Sequence, residues 1–263
     1  DFATTGHTYI MGILNVTPDS FSDGGKFDQI DAALKHAEEM IRDGADVIDI
    51  GGESTRPGYT KISDEEETDR VVPVIEAVKK EFGIPISVDT YKSGVAEAAA
   101  QAGADLINDI WGLKYDPHMS EVIAKSGLAC CLMHNRDNTE YRNFMEDVKQ
   151  DLRETIALAK AAGIADDKII LDPGVGFAKS YENNLEVIRR LKEFNELKYP
   201  VLLGTSRKSV IGLTLDLPAA ERVEGTIVTT VMAVEAGCMF VRVHDVKENH
   251  RAIQMAEAIL DRK

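Results

Sequence analysis

Along the 263-residue chain, short apolar runs alternate with longer stretches in which apolar residues recur every three or four positions. The short runs lie at 8–15, 46–51, 85–89, 105–109, 128–133, 168–172, 200–204 and 239–244, and are rich in Ile, Val, Leu and Met. Uninterrupted apolar runs of this length suit strands covered on both faces, as in a parallel sheet. The intervening stretches, at 29–43, 64–82, 91–102, 117–126, 145–163, 182–195, 219–236 and 247–262, carry the spacing of amphipathic helices. Strand and helix alternate in this way with no linker and no low-complexity segment. The pattern predicts an α/β fold, a (β/α)8 TIM barrel forming a single domain over 1–263. A doubly wound sheet is the competing arrangement, and the regularity of the repeats favours the barrel.

The punctuation agrees with that rhythm. Gly44-Ala45-Asp46 and Gly103-Ala104-Asp105 precede the second and fourth strands, and Gly163 and Gly237 hold comparable places. These glycines are expected to end helices, where a left-handed backbone is needed. The acidic run Ser63-Asp64-Glu65-Glu66-Glu67 reads as a helix start, with Ser63 as N-cap and Glu66 as its capping-box partner.

Bulk properties narrow the function. The hydrophobic fraction is 44%, and no apolar run approaches the roughly 18 residues of a membrane-spanning helix. No basic segment leads into an apolar leader, so a cytoplasmic protein is expected. Cys130, Cys131 and Cys238 have no metal-binding spacing and read as buried free thiols of a reducing compartment. A net charge of −15 argues against nucleic acid as a partner. An anionic substrate would need a local basic cluster to overcome that field.

In a barrel of this kind the site is built at the carboxyl ends of the strands. Polar groups stand at all the predicted ends: Asn15; Gly51-Gly-Glu-Ser-Thr-Arg-Pro-Gly58; Asp89-Thr90; Asn108-Asp109; His134; Asp172-Pro-Gly-Val-Gly-Phe-Ala-Lys179; Gly204-Thr-Ser-Arg-Lys-Ser209; and Arg242-Val-His-Asp245. Arg242 and His244 are two apart on one strand and face the same side. With Arg56 and Lys208 they suit an anionic group, which arginine can grip with two parallel hydrogen bonds. Asp89, Asn108 and Asp172 offer acceptors and an amide to a donor-rich heterocycle. A flat heterocycle with a phosphate tail fits this set. His134 has two open readings, structural and functional.

Met11-Gly-Ile-Leu-Asn-Val-Thr-Pro-Asp-Ser-Phe-Ser-Asp-Gly-Gly25 resembles the first signature of the dihydropteroate synthases, folate-pathway enzymes built on a pterin-binding barrel. Asp49-Ile-Gly-Gly-Glu-Ser-Thr-Arg-Pro-Gly58, Ser87-Val-Asp-Thr90, Ile107-Asn-Asp109, Leu132-Met-His134, Asp172-Pro-Gly174, Ser206-Arg-Lys-Ser209 and Arg242-Val-His-Asp245 follow in the family's order and span nearly the whole chain. The resemblance implies condensation of 6-hydroxymethyl-7,8-dihydropterin pyrophosphate with 4-aminobenzoate, a transferase reaction that sulfonamides would inhibit as aminobenzoate mimics. It implies catalytic roles for Asp89, Lys208, Arg56 and His244. Pterin would be held by Asp89, Asn108, Asp172, Lys208 and Arg242, between Met133 and Phe177. Pyrophosphate would meet Asn15, Arg56, Arg242 and His244, with Mg²⁺ bound at Asn15. Aminobenzoate would meet Phe21, Thr55, Pro57, Lys208 and Ser209. A homodimer formed through late helices is also implied.

The loops at 16–27 and 53–62 are long for barrel connections and are expected to close over the substrates. The run Asn135-Arg-Asp-Asn138 and the pair Trp111-Gly112 depart from the family's usual pattern. Two alternatives share the barrel: a methyltetrahydrofolate-dependent methyltransferase and an inactive pterin-binding paralogue. The first loop and Ser206-Arg-Lys208 argue against the former, and the presence of Arg56 and Lys208 against the latter.

Overall fold

The structure, a computed structural model, describes residues 2, 6–17, 26–54 and 60–262. Eight strands appear among them: β1 Tyr9–Asn15, β2 Val47–Gly51, β3 Ile86–Asp89, β4 Leu106–Asp109, β5 Ala129–Met133, β6 Ile169–Asp172, β7 Leu202–Leu203 and β8 Phe240–Val243. All pair in parallel, in the order β6-β5-β4-β3-β2-β1-β8-β7. The ring closes where Leu171 bridges to Val201 and Leu171 N donates to Pro200 O at 2.9 Å. Every predicted strand is present within two residues of its expected ends. β7 is the shortest: Pro200 has no N–H to donate, and the chain turns at Ser206-Arg207, where Lys208 N donates to Thr205 O at 3.1 Å.

The helices wrap this ring: α1 Lys26–Arg42, α2 Asp64–Phe82, α3 Ser93–Ala102, α4 Met119–Ser126, α5 Phe144–Ala161, α6 Tyr181–Arg189, α7 Ser209–Leu215, α8 Val223–Ala236 and α9 Val246–Ile259. Three departures from the expected pattern have local causes. α7 is additional; it is short, holds Val, Ile, Thr and a glycine, and has no side-chain cap at Lys208, so it carries little helical signal. The stretch expected at 182–195 breaks at Arg190, where the chain tightens into a 3₁₀ segment, Leu191–Leu197. Ser63 does cap α2, accepting from Glu66 N at 3.1 Å, but the Glu66 carboxylate is taken by Arg70 instead of returning to Ser63.

Alternation along each strand sorts side chains into two cores. Ile48, Ile50, Val88, Ile107, Cys130, Leu132 and Leu171 face the helices in the main core. Met11, Val47, Leu106, Cys131, Ile170, Leu202 and Phe240 form a second cluster inside the ring, with Phe2 and Tyr9 packed against it. The neighbouring thiols Cys130 and Cys131 thus enter different cores, as adjacent strand residues must. All three cysteines are free and buried.

The Gly-Ala-Asp repeats have a second use at the amino ends of the strands. Asp46 Oδ2 accepts from Ile10 N at 2.8 Å, and Asp105 Oδ2 accepts from Ile86 N at 2.9 Å. Each aspartate thereby satisfies a backbone donor where the ladder begins. Gly103 and Gly237 close α3 and α8 in left-handed conformations, as expected.

Candidate active site

Two residues beyond the inner apolar layer, the same strands turn polar. Val47 is followed at that spacing by Asp49, Leu106 by Asn108, Ile170 by Asp172, and Phe240 by Arg242. A two-residue step keeps a side chain on the same face of its strand, so these groups also point into the ring. Asp89 joins them through its register with Gly51 and Asn108.

Arg242 organises the cluster. Its Nε donates to Asp49 Oδ2 at 2.6 Å and its Nη2 to Asp89 Oδ2 at 2.9 Å. Asn108 Nδ2 also donates to Asp49 Oδ2, at 3.4 Å. One guanidinium therefore lies against two carboxylates, and these hold its pKa above the ordinary arginine value against the cost of burial. Burial pushes Asp89 up to about 7, with Arg242 opposing the shift and Asp49 adding to it. Asp49 Oδ1 and Asp89 Oδ1 are buried and have no hydrogen-bond partner among the described residues. Buried acceptors of this kind are rare and mark a place where a ligand donor can be received.

Lys208 and Asp172 form the other half. A Cβ at Gly204 would lie 3.6 Å from Asp172 Oδ2, 3.8 Å from Lys208 Nζ and 4.0 Å from Arg242 Cβ, so all three residues gather around that glycine. Lys208 donates to Val175 O at 2.5 Å, and its ammonium sits 5.0 Å from the Phe177 ring centroid. Burial brings Lys208 down to about 8, although Asp172 favours its charged form. Asp172 is raised, chiefly by burial, while its Oδ1 accepts from Gly174 N at 2.8 Å. Met133 and Phe177 meet Tyr91, Ile110 and Trp111 in a small apolar cluster.

The remaining expected residues divide. Asn15 ends β1 beside Gly51, whose Cβ position would lie 3.8 Å from Asn15 Oδ1 and 3.7 Å from Asp89 Oδ2. His244 follows β8; its Nδ1 lies 2.8 Å from Ser206 Oγ, which also accepts from His244 N at 3.0 Å. The Ser206 hydroxyl hydrogen is then available to Nδ1, which fixes the ring's orientation. Ser209 opens α7 at an exposed position. Phe21, Thr55, Arg56 and Pro57 lie outside the described residues, as do 18–25 of the first expected closing loop and 55–59 of the second.

Two groups escaped the sequence reading. Asp49 was visible only as part of a motif, yet its two-residue spacing from Val47 and Gly51 marks it as inward-facing. Lys92 ties down the described base of the second loop. Its Nζ donates to Glu53 Oε2 and Ile62 O, both at 2.7 Å, and lies 2.7 Å from Glu67 Oε2. Glu53 also accepts from Ile62 N at 2.9 Å and from the Tyr91 hydroxyl at 2.5 Å. No sequence signal tells a buried lysine of this kind from a solvated helix residue. Within Ser206-Arg-Lys208, Arg207 turns outward and forks onto Asp245 at 2.6 and 3.1 Å.

The fold and this cluster define a barrel enzyme whose site lies at the strand carboxyl ends. Residues 11–244 match the family described as pterin binding enzyme. The dihydropteroate synthase of Clostridium beijerinckii is 62% identical over 263 residues, covering 100% of this chain and 98% of that protein. A crystal structure of the Clostridium difficile dihydropteroate synthase, determined in the presence of pteroic acid, superposes with a TM-score of 0.96 at 53% identity, covering 98% of this chain and 99% of the other. The Xanthomonas albilineans dihydropteroate synthase, solved with 4-aminobenzoic acid, gives 0.92 at 41% identity, with 97% and 93% covered. The chain belongs to the dihydropteroate synthases of the pterin-binding enzyme family.

Proposed function

We propose that this chain condenses 6-hydroxymethyl-7,8-dihydropterin pyrophosphate with 4-aminobenzoate, giving 7,8-dihydropteroate and pyrophosphate in folate biosynthesis. The observation that carries the reading is the group of buried charges around Arg242 and Gly204, with two carboxylate oxygens left to a ligand. Asp89, Asn108 and Asp172 receive the N–H groups of the pterin. Lys208 and Arg242 complete its polar contacts, and Met133 and Phe177 line its faces. Asn15, Arg56, Arg242 and His244 take the pyrophosphate. Phe21, Thr55 and Pro57, with Lys208 and Ser209 toward the carboxylate, take the aminobenzoate.

The chemistry follows from the charges. The bond between the pterin methylene and the pyrophosphate oxygen breaks, and its electron pair leaves with pyrophosphate. Arg56, Arg242 and His244 stabilise the departing anion. Positive charge left on the methylene is shared with the ring, where the Asp89 carboxylate stabilises it. The neutral arylamine attacks that carbon and then loses a proton. It needs no strong base, because its lone pair is already available.

Asn15 offers one neutral oxygen beside the acidic mouth, which suits Mg²⁺, an ion that keeps several waters and usually arrives on substrate phosphates. When bound, Mg²⁺ would offset pyrophosphate charge. The described residues contain no cluster of His, Cys, Asp and Glu able to hold a metal by themselves, so the pyrophosphate would supply most of the anionic ligands.

The working form is a homodimer in the cytoplasm. Exposed Leu213, Leu215, Val228, Met255 and Ile259, on α7, α8 and α9, support a late-helix interface, and three buried free thiols suit a reducing compartment. The test is product formation by the purified protein. Pyrophosphate and dihydropteroate should form in equal amounts, and dihydropteroate only with both substrates present. Absence of dihydropteroate would refute the reading.

A further inference from the structure

His134 follows β5, its N donates to Asp172 O at 2.8 Å, and its side chain is completely buried and makes no hydrogen bond to a side chain assigned to the pterin. Its Nε2 lies 2.8 Å from Asp151 Oδ2 on α5, and its Nδ1 lies 2.8 Å from Lys179 Nζ. Burial brings Lys179 down to about 7, with Asp172 favouring its charged form; in that form the ammonium can only donate, so Nδ1 is the acceptor and Nε2 carries the hydrogen given to Asp151. Burial lowers the imidazole to about 4, in keeping with a neutral ring. Arg136 holds the far side of Asp151 through a fork at 2.6 and 3.2 Å.

Lys179 has two further bonds, to Gly174 O and Phe177 O, each at 3.0 Å. Three N–H groups thus meet three acceptors. Both carbonyls belong to the turn after β6, and that turn shapes the pterin side of the mouth. Gly174 N holds Asp172, Val175 O receives Lys208, and the Phe177 ring lies beside the Lys208 ammonium. The turn presses directly on His134. Gly174 has φ +73°, and a Cβ there would lie 2.0 Å from His134 O.

We infer that Lys179, oriented by His134, is a positioning residue for pterin binding. It draws the Gly174 and Phe177 carbonyls onto one ammonium and so sets the turn that aims Asp172, Lys208 and Phe177. This inference rests on the pterin reading above. Without the ammonium, two carbonyl dipoles aimed at one point repel each other. The turn holds glycine at 174 and 176, so its backbone has the freedom to relax away. The chain from Arg136 through Asp151 and His134 also gives the unusual Asn135-Arg136 run a mechanical link to the site.

The experiment measures the dissociation constant for the pterin pyrophosphate by calorimetry, beside melting temperature, for wild type, Lys179→Met, His134→Asn and His134→Gln. Asparagine sets an amide oxygen near the Nδ1 position and can still accept from Lys179. Glutamine reaches the Nε2 position and keeps only the Asp151 contact. Lys179→Met and His134→Gln are expected to weaken binding about tenfold or more, with His134→Asn within about threefold of wild type. Equal weakening in the two histidine variants, or unchanged binding in Lys179→Met, would overturn the inference. Should Lys179→Met fail to fold, the histidine pair decides by itself. A wild type that does not bind the pterin pyrophosphate would overturn the functional reading and this inference with it.

Discussion

The two ends of the barrel interior are made by the same strands and differ by one pleat repeat. At the amino end, Met11, Val47, Leu106, Cys131, Ile170, Leu202 and Phe240 close the ring with apolar volume. At the carboxyl end, two residues further on, Asp49, Asn108, Asp172 and Arg242 occupy the same faces, with Asp89 beside them. The first layer removes apolar surface from water and stabilises the fold. The second removes charge from water and leaves Asp49 Oδ1 and Asp89 Oδ1 without donors among the described residues, which costs stability. β2, β4, β6 and β8, each of four or five residues, hold one layer of each kind. Separating them lets the plug bear the energetic cost of the site.

That division can be attacked from either end. The largest expected effect is Phe240→Ala in the plug, which should cost about 3–5 kcal/mol in urea denaturation while leaving pterin affinity of the folded protein unchanged. Parallel loss of affinity would mean that the layers are not separable. Next comes Lys208 at the mouth. Its pKa, brought down to about 8, means that it loses its charge as pH rises through that value. Wild-type affinity for the pterin pyrophosphate should fall by about tenfold over that rise. Lys208→Met should bind weakly at every pH and lack this limb in calorimetric titrations. The smallest effect is Asp46→Ala, which frees Ile10 N at the amino end. It should cost about 1 kcal/mol of unfolding free energy with no change in turnover.

The strands and most helices were legible in the sequence because their apolar periodicity is strong and their ends are marked by glycine or polar residues. α7 was not, since a seven-residue segment rich in branched side chains has no helical signature of its own. The polar strand ends were legible one by one. Their grouping around Arg242 and Gly204 was not, because it depends on register between strands distant in sequence. Asp49 shows the limit well: alternation says that it faces inward, but only the ring brings it to Arg242, 193 positions away. Lys92 was read past because a buried lysine and a solvated one look alike in a sequence.

The central claim is that the mouth is arranged for its ligand at the expense of the fold, and Asp89→Asn tests it most directly. Burial raises Asp89 from 3.8 to about 7, so the folded state holds its proton more tightly than the unfolded chain. Wild-type stability therefore declines, through this group, as pH rises from about 4 to about 7, and the amide removes that decline. Urea denaturation and dihydropteroate formation, measured on the same preparation at pH 8, should give a variant at least as stable as wild type whose turnover is lower by about 10²–10³-fold. A variant that is clearly less stable, or one that keeps wild-type turnover, would contradict the account.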